Sequence, residues 1–126
     1  MLLIITALAS AGALAADAPP TSVSKSSMCF RPDEFLGWKA PNALTIYISL
    51  SRHRYYRLDL AAKCPELLEP DSHLNARFDG TNMVCGALDW NIKVSGPVSP
   101  TETCIVKAMR PLSTAEAAAI PKEFRP

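Results

Sequence analysis

Four cysteines, Cys29, Cys64, Cys85 and Cys104, narrow most sharply what this chain can become. An even count spread along a short chain reads first as a pair of disulfides, which allows three connectivities and requires an oxidising compartment. None of the four stands in a C-x-x-C pair, which argues against a thioredoxin-like redox site and against structural zinc. The favoured pairing ties Cys29 to Cys104, first ordered segment to last strand, and Cys64 to Cys85 across the central loop. Closing a long loop restricts the unfolded chain and contributes roughly 2 to 4 kcal/mol.

The amino-terminal residues agree with export. MLLIITALASAGALAA is a continuous run of apolar and small residues, and Ala13-Leu14-Ala15 matches a small-residue cleavage site. No Lys or Arg precedes the run, so the α-amine is the positive charge at that end. The run is shorter than the about 20 apolar residues a bilayer span needs. The expectation is a signal peptide over residues 1–15, with no stable membrane insertion after cleavage and a periplasmic or secreted location. Residues 16–27, ADAPPTSVSKSS, read as a flexible tail. Residues 28–126 then suffice for a single disulfide-stabilised β-rich domain. The chain carries 13 Lys plus Arg against 12 Asp plus Glu, a balance that gives no reason to expect a nucleic-acid partner.

Hydrophobic period divides that domain. Pro32-Asp33-Glu34-Phe35 reads as a short helical turn, and Phe35, Leu36 and Trp38 are expected to bring apolar groups to the core. In Thr45–Leu50 and in Tyr55–Leu60 the even positions are apolar, the mark of strands with one covered face. Ser51-Arg52-His53-Arg54 between them is short enough for a hairpin, although it lacks the Asn-Gly or Asp-Gly pair that eases one. Ile46, Ile48, Leu50, Tyr56, Leu58 and Leu60 are therefore core candidates. Glu66–Glu69 suits one helical turn before Pro70. Leu74, Ala76 and Phe78 alternate as in a short strand, and Leu88, Trp90, Ile92 and Val94 fall on one face of another. Cys104–Met109 reads as a last strand whose faces are less distinct. Ser113-Thr114-Ala115-Glu116 is a capping box, and the alanines after it carry a helix to Ile120 before Pro121 stops it. The fold class expected is mainly β, a small curled antiparallel sheet or incomplete barrel with a short C-terminal helix docked on it.

Cys29-Phe30, Gly37-Trp38, the hairpin ending in Tyr55-Tyr56-Arg57-Leu58-Asp59-Leu60, Cys64-Pro65-x-Leu67, Val84-Cys85, and Cys104-Ile105 leading to Leu112 resemble a family of small exported proteobacterial proteins of uncharacterised function. The resemblance implies an exported disulfide domain of the cell envelope and transfers no catalytic residue.

The densest polar cluster is Arg52, His53, Arg54, Tyr55 and Arg57, with Lys63 beyond. Cations interleaved with aromatic rings on a hairpin suit an anionic glycan or phosphate group, and outward charge also serves simply to discourage edge-to-edge pairing. For hydrolysis the ingredients are His53, His73, Asp71, Glu66 and Glu69, whose spacing builds no nucleophile-base pair. Asp71-x-His73 offers two metal ligands, fewer than a structural site requires, so neither metal nor cofactor is expected. The reading is an exported, non-catalytic binding or interaction module whose partner is an envelope protein or an anionic envelope polymer, its oligomeric state left open. A small envelope hydrolase with a pocket built from distant loops is the alternative.

Overall fold

The computed structural model describes residues 28–78 and 82–126; the expected signal peptide and tail lie outside the described residues. Among the described residues, seven strands form two antiparallel sheets. The first sheet is built from β1 (Phe35–Asn42), β2 (Thr45–Leu50), β3 (Arg54–Leu60) and β7 (Val106–Pro111), in the order β1-β2-β3-β7. The second is built from β4 (His73–Arg77), β5 (Asn91–Ser95) and β6 (Glu102–Cys104), in chain order. One short helix, α1 (Thr114–Ala119), follows the last strand. The mainly β class with a short C-terminal helix is as the sequence predicts, with the strands shared between two sheets and no closed barrel among the described residues.

The period-two patterns of β2 and β3 set the register. Ile46 lies opposite Leu58 and Ile48 opposite Tyr56, so that face of the pair is apolar along its middle, with Arg54 opposite Leu50 at its end. Ile46, Ile48, Leu50, Tyr56, Leu58 and Leu60 are all buried. A slip of one residue would turn all of them outward, which fixes the pairing. On the second sheet Leu74 faces Val94, and Ala76, Ile92 and Cys104 share a row; these side chains join the same core. Aromatic rings fill the space between. Phe30 meets Tyr56 at 5.5 Å and Trp90 at 5.9 Å between centroids, and Phe78 meets Trp90 at 4.8 Å. Such tilted and edge-on pairs add about 0.5–1.5 kcal/mol each beyond area burial.

The expected disulfide pairing is corrected: Cys29 bonds Cys85, and Cys64 bonds Cys104. The reason lies one residue inward. Phe30 and Val84 exchange backbone hydrogen bonds of 3.0 and 2.7 Å, which sets Cys29 beside Cys85. Cys64 follows β3 and Cys104 ends β6, so the second bond joins the two sheets.

Three local expectations also change. The segment after the first turn is a strand, β1, at the edge of its sheet; register shifts precede Gly37 and Asn42, and Leu36 points to solvent at 69% exposure. An edge tolerates Pro41, which a central strand would not. The stretch read as one strand from Cys104 is two, β6 and β7, in different sheets, with Ile105 exposed at the crossing. Leu88 is fully exposed because Ala87–Asp89 coils into a 3₁₀ turn, whose Asp89 carboxylate accepts from the N–H groups of Cys85 and Gly86 at 2.8 and 3.2 Å. Trp90, Ile92 and Val94 are buried as predicted.

Candidate functional site

The cationic hairpin is held by β2 and β3, whose register carries the chain from Leu50 to Arg54 through a tight turn over Ser51–His53. Arg52 and His53 at its tip both have left-handed backbone, φ 63° and 56°. Each residue with a Cβ costs roughly 1–2 kcal/mol in that region, which is why Asn and Gly ordinarily fill it. Both side chains are exposed.

The other predicted residues diverge in role. Arg54 turns inward: one terminal nitrogen donates to the Cys29 carbonyl at 3.2 Å and to the Tyr56 hydroxyl at 3.0 Å, the other lies 3.7 Å from Glu34, and its guanidinium stacks over the Tyr56 ring. Burial raises the Tyr56 hydroxyl above its ordinary pKa, so it stays protonated beside that cation. Arg57 projects from the opposite face and donates to Asp59 at 2.8 Å, which holds the guanidinium firmly charged. Tyr55 is half-buried on the Arg57 face, its carbonyl accepting from Leu112 N–H at 2.8 Å. Lys63 lies past the end of β3.

A residue from the chain's first described segment completes the tip. Arg31 joins Arg52 and Arg54 around a cleft of about 540 Å³ that also takes in Asp33, Glu34 and Met83. Arg31 lies 2.7 Å from Asp33, a bond that lowers the Asp33 pKa and raises that of Arg31. Arg52 takes part in none of the ion pairs among the described residues. Arg31 carries no local signal of this role; the Phe30–Val84 bridge and the β1–β2 pairing bring it there.

The residues considered for hydrolysis do not converge. His53 sits on the hairpin of one sheet and His73 on an edge strand of the other, while Asp71 and Glu69 line a different cleft, which includes neither histidine. Among the described residues no group of three or more His, Cys, Asp or Glu side chains gathers closely enough for a metal ion. No helix among them is long and apolar enough to cross a membrane. Comparison with family models, curated proteins and solved structures finds no match.

Proposed function

We propose that the chain is an exported, non-catalytic interaction module of the cell envelope, and that the hairpin tip engages an anionic group on an envelope protein or polymer. The observation that carries this reading is the tip itself, where Arg52 and His53 occupy strained backbone and project into solvent, with Arg52 outside the internal ion pairs. Local strain concentrates where geometry serves a task. Arg31 across the cleft supplies a second guanidinium, and the fork of a guanidinium matches carboxylate, sulfate and phosphate oxygens. Two disulfides fit an oxidising compartment, and the apolar run ending in Ala13-Leu14-Ala15 supports a periplasmic or secreted location.

Calorimetric titration with dextran sulfate, against neutral dextran of equal length, tests the reading. The wild-type chain should bind the sulfated polymer, more weakly as salt rises. Arg52→Asn with His53→Gly should relax the turn and raise stability by about 1 kcal/mol while binding falls. Unchanged binding in that folded double variant, or equal affinity for the neutral polymer, would remove the hairpin from the function.

A further inference from the structure

The second sheet turns one face to solvent, and the charged side chains on that face are all cationic. The register that sends Leu74, Ala76, Ile92 and Val94 to the core sends their neighbours outward. Asn75, Lys93 and Thr103 therefore stand side by side across the three strands, with His73 and Arg77 at the two ends of β4. No outward position of β4, β5 or β6 is an Asp or Glu, since Glu102 falls in the row of Val94 on the other face. Arg77 and Lys93 enter none of the ion pairs among the described residues.

Two exposed apolar side chains border this face. Leu88 is 100% exposed on the 3₁₀ turn before β5, and Ile105 is 65% exposed where the chain leaves β6. Both line one cleft of about 130 Å³, together with Asn91 and Thr103. A single exposed apolar residue is ordinary on a protein surface. Two gathered beside cations that face no carboxylate make a surface that is apolar and positively charged at once.

We propose that this face docks reversibly on an anionic lipid bilayer, with Leu88 and Ile105 entering the head-group boundary while Lys93 and Arg77 meet lipid phosphates. Adsorption of this kind draws on buried apolar area and on the attraction of Lys and Arg to anionic lipid, and each part alone is weak. The contact is peripheral and needs no membrane-spanning segment. An acidic polymer in solution would engage the cations but leave Leu88 and Ile105 in water, so the bilayer accounts for more of the surface.

Flotation with vesicles of phosphatidylglycerol and phosphatidylcholine, against phosphatidylcholine alone, tests this on the secreted chain with its expected signal segment removed. The chain should float with the anionic vesicles, less so as salt rises, and stay behind with the neutral ones. Leu88→Ser with Ile105→Ser should lower the partition coefficient by roughly tenfold or more, and Arg77→Gln with Lys93→Gln by a similar factor. All four side chains are exposed, so both variants keep the fold, which thermal melting verifies. No flotation, equal flotation with neutral vesicles, or undiminished flotation of the folded Leu88 and Ile105 variant would overturn the proposal. In the last case a loss confined to the Arg77 and Lys93 variant would make the face a site for acidic polymers instead. Arg52→Ala should float as the wild type does; binding that depends on Arg52 and not on Leu88 would assign the lipid contact to the hairpin and sink the proposal while leaving the hairpin's own role intact.

Discussion

Arg52 and Arg54, two residues apart in one hairpin, illustrate how a turn and the strand that follows it assign opposite tasks to like side chains. Arg54 begins β3 on the face of Tyr56 and Leu58, where Cys29, Tyr56 and Glu34 meet its guanidinium. Its removal strips donors from a carbonyl and a hydroxyl in a partly buried setting, so Arg54→Met should destabilise the fold by about 1–3 kcal/mol. Arg52→Ala should stay within about 0.5 kcal/mol of wild type, because its side chain is exposed and outside the internal ion pairs. Urea unfolding of the two single variants measures the contrast; equal losses would mean that Arg52 is as structural as Arg54. The sequence presents both as members of one basic cluster. Charge alone cannot separate them, since the separation comes from Cys29 and Glu34, which lie far upstream in the chain.

At the scale of elements, legibility follows the strength of the local period. The alternation in β2 and β3 and the capping box of α1 are each contained within a few residues, and both read through to the structure. In the box Ser113 Oγ accepts from Glu116 N–H at 3.1 Å, and the Glu116 carboxylate accepts from Ser113 N–H at 3.2 Å. β1 was hidden because Gly37 and Pro41 interrupt its pattern, and its place in the structure comes from pairing with β2 rather than from its own residues. The break at Ile105 was hidden because consecutive strands serve different sheets, so the inward face changes midway. The same local logic makes α1 sensitive to acid. Arg110 on β7 donates to Glu116 at 2.6 Å and, with the Ser113 N–H, lowers the Glu116 pKa from its ordinary 4.5. The unfolded chain therefore binds the proton more readily than the folded one. The helix-start contacts are whole above about pH 4.5 and are lost as pH falls through the lower folded value. Protection of the α1 amides, measured as exchange relative to the intrinsic rate at each pH, should fall across that range in the wild type and much less so in Glu116→Gln; identical protection profiles would show that the carboxylate does not anchor the helix.

On the scale of the whole molecule, the two disulfides perform different work. Their loops are similar, with separations of 56 and 40 residues, so the restriction each places on the unfolded chain is alike, about 4 kcal/mol in the chain-entropy account. Position distinguishes them. Cys64–Cys104 is buried, both residues belonging to the core, and it sits where the chain leaves one sheet for the other; Ala61 N–H donates to the Ile105 carbonyl at 2.9 Å beside it. Cys29–Cys85 lies at the rim, with Cys85 exposed and Cys29 lining the hairpin cleft near Arg31 and Arg54. Thiolate attack needs access to sulfur, and neighbouring cations stabilise the thiolate that leaves. Mild dithiothreitol at neutral pH should therefore open Cys29–Cys85 first, with Cys64–Cys104 reduced only after global unfolding. Timed alkylation and peptide mass spectrometry would place the early label on Cys29 and Cys85. Because the Phe30–Val84 bridge and the ring contacts of Phe30 persist without the bond, the two sheets should remain packed in that half-reduced state. Early label on Cys64 or Cys104 would mean that the seam between the sheets opens more readily than the rim.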